Sequence, residues 1–441
     1  MQYQILRLAK GGLGISQTNG KTWFVEGALP GETGTAEILE EKQKYGKARA
    51  VSRDFDATCR QPEDACPCAQ QCDGCGFRHV KPEYALELKA QAVYADIIRN
   101  AHMNDVPYTC IGLKQQQLDR TRHRVRLHIQ GNQIGYFARG SHHVIPASQC
   151  AVIAQELCTA IEWLQNHLHK AQLDHHARLD VQIDLDVKKR AYAHFKTIQE
   201  RVLKRHQHRP GKKQPPKQAP LNLKLLEQLA SEAIQAGAFA GIRIENKTFG
   251  LAMIEDCING DICVFRQIGD FAQATPEANA AIHQLVVEFV QQTNANSVAD
   301  LYSGSGNLTF RAACHAERVI ACEYYCSKVA FQRGLEANAA LFKPGHHIEL
   351  IEADLSKGLP PKAADVDVII CDPARDGLSE AIIQDICRSR ASHILYVSCE
   401  ASCLARDIAR LAPDFAVQKL TFVDMFPQTP HVETVAWLKR I

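Results

Sequence analysis

Hydrophobic and polar residues alternate in short runs over the first 55 positions, for example from Tyr3 to Leu8 and from Thr22 to Val25. Turns that contain glycine, such as Asn19-Gly20, separate these runs. Short, evenly spaced strands with glycine turns are typical of a small β-barrel, a fold that can bind oligonucleotides. The pattern predicts a first domain at 1–55, an OB-like barrel whose role is either oligonucleotide binding or purely structural.

The middle of the chain mixes both kinds of pattern. Residues 82–104 have helical spacing, and Arg122 to Ile129 and Ile134 to Phe137 flank Gly131-Asn132 as in a hairpin. We therefore expect a central α+β domain at 56–270. Within it, the segment 201–219 contains seven Lys or Arg and no acidic residue. That composition predicts a solvated insertion, with a phosphate-contacting arm as the alternative.

From residue 271 onward, short apolar runs alternate with helical stretches. The runs include Val298 to Leu301, Val319 to Cys322, Val366 to Cys371 and Ile394 to Val397. Repeated strand–helix units predict a doubly wound, mostly parallel sheet, and ligands bind such sheets at the carboxyl ends of the strands. The chain is thus expected to be a multidomain α/β protein with a Rossmann-like domain at 271–441.

Charge and cysteine content restrict the function classes. The formal net charge is only +2, from 51 basic and 49 acidic residues, so nucleic-acid binding must depend on local patches. No apolar run reaches 18 residues and the N-terminus lacks signal-peptide features, so we expect a cytoplasmic protein without membrane contact. In that compartment the 17 cysteines serve as thiols, metal ligands or nucleophiles.

Four predicted strand ends carry residues suited to a nucleotide-type cofactor. Gly304 and Gly306 allow backbone N–H groups close to a ligand at a helix start. Glu323 ends the next strand, where a carboxylate can bind ribose hydroxyls, and Asp354 and Asp372 follow the next two. This order of strand ends indicates an S-adenosylmethionine site.

Two later residues point to covalent chemistry. Cys399 lies between a predicted strand and a helix, where the helix dipole can favour a thiolate nucleophile. Glu433 follows a Pro-rich segment and comes to the same sheet edge as a possible general base. The alternatives are an inert buried thiol and a surface acid.

These motifs resemble the RNA uracil-C5 methyltransferase family. The similarity rests on Asp300 to Asn307 (DLYSGSGN), Asp372 to Arg375 (DPAR), Tyr396 to Cys399 (YVSC) and Val423 to Thr434 (VDMFPQTPHVET). The order of domains is closest to the iron–sulfur branch that acts on 23S ribosomal RNA and begins with a TRAM-type barrel. The resemblance implies a class I, S-adenosylmethionine-dependent enzyme, which we expect to be a monomer.

The resemblance also implies roles for individual residues. Cys399 would add to uracil C6, C5 would take the methyl group, and Glu433 would remove the C5 proton, with Asp372 near the reacting base. Gln273, Tyr302, Asn307 and Glu323 match the family's cofactor-binding positions. The uracil would have to be flipped out or single-stranded to reach such a pocket.

A cysteine-dense loop at 59–76 matches the family's metal-binding segment. Cys66, Cys72 and Cys75 have the spacing of the first three cluster ligands, and Cys150 matches the fourth. Four thiolates can hold a [4Fe–4S] cluster, and a zinc site is the competing interpretation. The C-x5-C-x2-C spacing differs from the usual paired C-x2-C pattern of zinc sites and favours the cluster.

Three arginines, Arg122, Arg124 and Arg126, resemble the family's central-domain arginine segment. At a period of two they would share one strand face, either to bind RNA phosphates or as a solvated surface. One departure from the family pattern is Glu400, whose charge would raise the pKa of Cys399 if the two side chains were close.

The main hypothesis is methylation of uracil C5 in RNA, with ribosomal RNA as the first substrate. The same reaction on transfer RNA is a second interpretation. A catalytically decayed RNA-binding paralogue and a zinc-stabilised RNA-binding module are alternatives from another class.

Overall fold

A computed structural model describes residues 1–61, 66–69, 71–72, 74–113, 119–174, 178–197 and 221–441. The basic segment 201–219, predicted to be a solvated insertion, lies outside these residues. Across the described ranges, none of the helices combines the length and apolar character that a membrane span requires.

The N-terminal domain is a curled six-stranded sheet with the order β1-β5-β6-β4-β3-β2. Its strands are β1 (Gln2–Gln4), β2 (Arg7–Leu8), β3 (Gly14–Thr18), β4 (Lys21–Glu26), β5 (Thr33–Glu41) and β6 (Tyr45–Arg53). The N–H of Leu6 donates to the carbonyl oxygen of Ile15 at 2.9 Å, so the chain after β1 contacts β3 and curls the sheet. Tyr3, Trp23 and Val25 fill the small core inside it. The small β domain predicted from the alternation is confirmed.

Helix α1 (Pro82–Ala101) and strand β7 (Tyr108–Ile111) follow this domain. Sequence reasoning placed both in the central domain, but they pack elsewhere. Strand β7 pairs in parallel with the C-terminal strand at Phe415–Val423, and α1 contributes Ala90, Val93 and Ile97 to the core on one face of the C-terminal sheet. The isolated position of β7 between loops gave no sequence signal for this pairing.

The central region is built on a seven-stranded sheet with the order β10-β9-β8-β11-β12-β13-β14. Its strands are β8 (Arg124–Gln130), β9 (Gln133–Phe137), β10 (Val144–Pro146), β11 (Arg178–Leu185), β12 (Ala191–Thr197), β13 (Gly241–Ile244) and β14 (Lys247–Gly250). Helices α2 (Gln155–His167) and α3 (Leu223–Gln235) share one core with the apolar side chains of these strands. The predicted hairpin is confirmed, with Gly131 at φ +56° in its turn.

A two-stranded hairpin, β15 (Met253–Ile258) and β16 (Ile262–Gln267), leads into the C-terminal domain. The strands of that domain are β17 (Ser297–Leu301), β18 (Arg318–Glu323), β19 (His347–Glu352), β20 (Val368–Cys371), β21 (His393–Ser398), β22 (Phe415–Val423) and β23 (Glu433–Arg440). Its helices are α4 (Pro276–Gln292), α5 (Asn307–Ala313), α6 (Lys328–Asn338), α7 (Pro361–Ala364), α8 (Glu380–Arg388) and α9 (Ala401–Leu411).

The C-terminal sheet has the order β19-β18-β17-β20-β21-β23-β22-β7. Strands β17 to β21 are parallel, and β23 runs antiparallel to both of its neighbours. Ile320 points into one apolar core, whereas its neighbours Val319 and Ala321 point into another. Both faces of the sheet are therefore covered, as in doubly wound folds. This confirms the predicted Rossmann-like architecture.

One buried lysine connects α1 to the loop before β23. The Nζ of Lys89 donates to Oδ1 of Asp424 at 2.7 Å and to the carbonyl oxygens of Phe426 and Pro427, each at 3.2 Å. The side chain of Lys89 is fully buried. If the loop moved away, the buried charge of Lys89 would lose its partner, which costs free energy. The contact therefore holds the loop against α1.

Candidate active site

The turn after β17 brings backbone groups close to any ligand at the sheet edge. Tyr302, Gly304 and Gly306 have φ values of +64°, +54° and +94°. A Cβ atom on Gly306 would lie 2.6 Å from Cζ of Phe310, so only glycine fits there. The N–H of Gly304 donates to Oε2 of Glu323 at 3.0 Å, and the end of β18 thereby holds the turn.

Two adjacent cavities meet at Tyr302, near the carboxyl ends of the strands. The first has a volume of about 350 Å³ and is lined by five predicted cofactor residues, Gln273, Tyr302, Gly304, Asn307 and Asp372. The second, of about 400 Å³, is lined by Tyr302 together with the predicted residues Glu323 and Asp354. Gly306 contributes to the site by shaping the turn. The structure thus brings the eight predicted cofactor residues to one sheet edge.

Asp300 is a buried carboxyl group of the first cavity to which the sequence analysis assigned no role. Its Oδ2 accepts a hydrogen bond from Oγ1 of Thr309 at 2.6 Å, whereas Oδ1 has no hydrogen-bond partner among the described residues. Burial, with smaller contributions from the charges of Asp372 and Glu323, raises the pKa of Asp300 to about 7. Its position as the first residue of the DLYSGSGN motif was the available signal.

A buried polar network holds the side chain of Asn307 at the start of α5. The amides of Asn307 and Asn279 exchange two hydrogen bonds of 3.0 Å each. The Oδ1 of Asn307 also lies 3.0 Å from Nε2 of His283. Both partners come from α4, which therefore determines the orientation of the Asn307 amide.

The tautomer of His283 follows from its second contact. The Nε of Arg311, which can only donate, lies 3.3 Å from Nδ1 of His283. The Nδ1 atom therefore accepts, and the proton resides on Nε2, which donates to Asn307. Burial lowers the pKa of His283 to about 4, so the ring is neutral at physiological pH. The Nη2 of Arg311 binds Oδ1 of Asp261 at 2.5 Å and links the network to the β15–β16 turn.

Three ionisable side chains meet where β20, β21 and β23 come together. Asp372 follows β20, Cys399 follows β21 and Glu433 opens β23. Strands β21 and β23 pair Ser398 with Thr434, so the next position, Cys399, comes opposite Glu433. The structure therefore assembles both predicted catalytic residues beside Asp372.

Burial dominates the electrostatics of this group. It raises the pKa of the Cys399 thiol, and the negative charges of Glu433 and Asp372 raise that pKa further. Burial likewise raises the pKa values of Asp372 and Glu433, and for Glu433 the charge of Asp372 adds to the effect. The Nε2 of Gln273 donates to Oδ2 of Asp372 at 3.2 Å and opposes the shift there. Each of these groups therefore holds its proton to higher pH than it would in water, and the ionisation of one disfavours the ionisation of the others.

Arg375 is a residue of this site that the sequence analysis quoted only as part of the DPAR motif. Its guanidinium is within hydrogen-bonding reach of the Cys399 thiol, and its positive charge lowers the pKa values of both Cys399 and Glu433. Arg375 is the cation that opposes burial at the proposed nucleophile. A charged residue four positions after the end of β20 was the available signal.

Glu400, next to Cys399 in the sequence, is paired with a lysine of the N-terminal domain. Its carboxylate pairs with Nζ of Lys10 and accepts from the N–H of Ser402 at 3.3 Å, so it caps α9. The same Lys10 donates to Oγ of Ser402 at 2.8 Å. The positive charge of Lys10 therefore offsets the negative charge that Glu400 places next to Cys399 in the sequence.

The predicted cluster ligands Cys66, Cys72, Cys75 and Cys150 line one small cavity, together with Cys68, Arg122 and Tyr136. The N–H of Gly74 donates to Sγ of Cys72 at 3.3 Å. Burial raises the pKa of Cys75 to about 11, an effect that the positive charge of Arg122 opposes. In the described ranges, no three His, Cys, Asp or Glu side chains are arranged as a metal site. The cluster therefore remains a prediction.

The three predicted RNA-binding arginines do not share one solvent-facing surface. Arg122 lies before β8 and faces the cysteine cavity, with its guanidinium 5.8 Å from the ring centre of Phe426. Arg124 is largely buried, with its Nε 2.8 Å from Oδ1 of Asp184 and its Nη1 donating to the carbonyl oxygen of Ala272 at 2.7 Å. Arg126 alone of the three is exposed. Arg124 instead holds the segment that carries Gln273.

Two parts of the chain match known domain families. Residues 354–441 match the family described as tRNA (Uracil-5-)-methyltransferase, and residues 4–51 match the TRAM domain. A crystal structure of the tRNA (uracil-54, C5)-methyltransferase of Pyrococcus abyssi, in complex with S-adenosyl-L-homocysteine, aligns with a TM-score of 0.70. The alignment covers 99% of both chains at 20% identity, which supports the fold.

Three relatives that align with 98% of this chain are named as RNA methyltransferases. The 23S rRNA (uracil(1939)-C(5))-methyltransferase RlmD of Pseudomonas savastanoi pv. phaseolicola is 28% identical over 98% of this chain and 92% of its own length. The protein of the same name from Shewanella woodyi is 29% identical over 98% of this chain and 94% of its own. An uncharacterized RNA methyltransferase of Bacillus cereus is 25% identical over 98% of this chain and 95% of its own length.

We expect Arg375→Gln to shift the pH dependence of kcat/KM for methyl transfer to higher pH. Removal of the cation raises the pKa values of Cys399 and Glu433 further, so less thiolate and carboxylate is present at neutral pH. A pKa that is raised by one unit lowers the rate of the variant at pH 7 by about tenfold. At high pH, where the groups are ionised in both proteins, the rates of variant and wild type should converge. Arg375→Lys, which retains the charge, should shift less. A uniform loss at every pH would contradict this role.

We expect His283→Leu to raise KM for S-adenosylmethionine roughly tenfold while kcat at saturating cofactor stays near wild type. One lost buried hydrogen bond is worth about 1 to 1.5 kcal/mol. The Oδ1 of Asn307 would lose one of its two donors and keep the bond from Asn279. His283→Gln retains a donor and an acceptor and should restore KM. Equal KM values for Leu, Gln and wild type, measured by initial rates, would show that the network has no part in cofactor binding.

Proposed function

We propose that this chain, which carries a TRAM domain and a tRNA (uracil-5-)-methyltransferase family domain, methylates C5 of uracil in RNA, with 23S ribosomal RNA as substrate. The observation that carries the proposal is the placement of Cys399 opposite Glu433, beside Asp372, at the edge of the cofactor cavity. The full-length similarity to 23S rRNA enzymes favours ribosomal RNA. Such a substrate implies a cytoplasmic reaction. All the proposed reacting groups belong to one chain, which is consistent with a monomer.

The reaction begins at the thiol. Uracil C5 is a poor nucleophile until a thiolate adds to C6, which moves the ring electron pair towards C5 and O4. The Cys399 thiol gives its proton to the neighbouring carboxylate of Asp372 and forms the bond to C6, with Arg375 favouring the thiolate. Asp372 has a raised pKa and, when protonated, can donate a hydrogen bond to a developing oxyanion.

Glu433 completes the cycle. After C5 has taken the methyl group, its remaining proton must leave so that the C5–C6 double bond reforms and the Cys399–C6 bond breaks. Glu433 is positioned opposite Cys399, and its raised pKa suits a group that accepts a proton near neutral pH. Elimination returns Cys399 to the thiolate form.

S-adenosylmethionine supplies the methyl group when it is bound, and the residues of the two cavities fit it. The unpartnered Oδ1 of Asp300 offers an acceptor to a cationic amino group in the first cavity. The Asn307 amide is held in one orientation by the α4 network. Glu323 and Asp354 in the second cavity offer carboxylates to hydroxyl groups.

We further propose a [4Fe–4S] cluster on Cys66, Cys72, Cys75 and Cys150. The four cysteines line one cavity, and hydrogen bonds to the sulfur atoms, such as that from the N–H of Gly74, are a feature of cluster sites. A Cβ atom at Gly74 would lie 3.3 Å from Sγ of Cys72, so glycine at this position leaves space beside that sulfur. The cluster would fasten the loop to the central domain through Cys150.

Cys399→Ala should abolish transfer of label from S-adenosylmethionine to undermodified ribosomal RNA, by about 10³-fold or more, because the covalent route is lost. Cys403→Ala, four residues later in α9, is the matched control and should stay active. The labelled position is then mapped as 5-methyluridine. Label on transfer RNA alone would reassign the substrate. No label from wild type with cofactor bound would support the RNA-binding paralogue.

Protein purified without oxygen should show the broad visible absorption of an iron–sulfur cluster and bind about four iron atoms per chain. Cys72→Ser and Cys75→Ser should lose that absorption, whereas Cys59→Ser should keep it, because Cys59 lies outside the cavity. Stoichiometric zinc without visible absorption would establish the zinc alternative instead.

A further inference from the structure

Two cysteines face each other across the β15–β16 hairpin. The strand register pairs Cys257 with Cys263, and Ile258 pairs with Ile262 next to the turn. Both cysteines are partly exposed, and Cys257 lines the first cofactor cavity. Neither residue has a part in the proposed methyl transfer.

The backbone contacts of Cys263 define the kind of pair. Its N–H donates to Oδ1 of Asn338 at 2.8 Å, and its carbonyl oxygen accepts from Nδ2 of Asn338 at 2.7 Å. Both backbone groups therefore point away from β15, which makes this a non-hydrogen-bonded pair. Such pairs have Cα atoms about 4.5 Å apart and close side chains.

That separation falls within the range of disulfides, about 4.4 to 6.8 Å between Cα atoms. The two side chains are close enough for each to shift the pKa of the other. The clamp of Asn338 on β16 keeps the register in place, so a bond between the sulfur atoms needs no change in strand pairing.

We propose that Cys257 and Cys263 form a reversible disulfide, a redox modification site in the wall of the cofactor cavity. The oxidant is a low-molecular-weight disulfide such as glutathione disulfide. One cysteine loses its proton and attacks the oxidant, which releases one thiol. The other cysteine then loses its proton and attacks the mixed disulfide, which releases the second thiol. Two protein thiols are thereby oxidised by two electrons and one disulfide is reduced.

The bond would act on the turn that carries Asp261. Asp261 binds Arg311, which positions His283 and through it Asn307. A covalent link between β15 and β16 would restrain the turn that carries Asp261. The two strands of the hairpin should therefore separate less often in the oxidised protein. Burial raises the pKa values of both thiols, so oxidation should be faster at alkaline pH.

The test uses full-length protein prepared without oxygen, with and without glutathione disulfide, followed by alkylation and trypsin digestion. The peptide 248–266 follows Lys247, ends at Arg266 and contains Cys257 and Cys263 as its only cysteines. We expect it to lose two hydrogens, to escape alkylation and to recover after dithiothreitol. Slower hydrogen exchange of 254–267 in the oxidised protein would accompany the bond.

Two serine variants and one control complete the design. Cys257→Ser and Cys263→Ser should each make the remaining cysteine of this peptide fully alkylatable or mixed with glutathione. Cys314→Ser, which removes a thiol that donates to the carbonyl oxygen of Phe310 at 3.3 Å, should leave the disulfide intact. Full alkylation of both cysteines in wild type at an oxidant level that modifies other thiols would overturn the proposal.

Discussion

The burial of two carboxyl groups beside one thiol is the constraint around which this site is organised. Asp372, Cys399 and Glu433 follow or open neighbouring strands, and burial raises the pKa values of all three. Three negative charges cannot coexist there at low cost, since like charges at close range disfavour each other's ionisation. The pKa values of the two carboxyl groups are raised towards neutral pH, where a reaction with a thiolate attack and a later proton removal needs groups that can accept and release protons.

Contacts from the other parts of the structure hold Asp372, Cys399 and Glu433 in place. Lys89 of α1 binds the loop that leads to Glu433, and Thr275 donates to the carbonyl oxygen of Met425 at 2.8 Å in the same loop. Arg124 of the central sheet holds the segment that ends at Gln273, and Lys10 of the N-terminal domain neutralises Glu400 beside the nucleophile. The N-terminal and central domains thus each supply a contact to the sheet edge that carries Asp372, Cys399 and Glu433.

The sequence predicted the parts whose signal is local. Period-two alternation and strand–helix repetition predicted the N-terminal β domain and the doubly wound sheet, because these patterns report which face is buried. The strand ends that carry Gly304, Glu323 and Asp372 could be predicted for the same reason. Long-range pairings could not be predicted from local patterns. The addition of β7 to the C-terminal sheet and the burial of Arg124 against Asp184 depend on partners many residues away.

Asp300 and Arg375 show a different limit. Both were visible in motifs, yet their chemistry depends on burial and on neighbours that only the fold supplies. Cys68 likewise lines the cysteine cavity beside the four predicted ligands, although its spacing matched none of them. Residue type and spacing identified the site, whereas the charge state of its groups required the packing.

The most direct test of the covalent mechanism uses RNA in which 5-fluorouridine replaces uridine. Fluorine at C5 cannot leave as a proton does, so elimination of Cys399 is blocked after methyl transfer. With S-adenosylmethionine, the wild-type protein should form a methylated protein–RNA complex that survives denaturation and whose bound peptide contains Cys399. Methyl transfer without any stable complex, or the same complex with Cys399→Ala, would contradict the account.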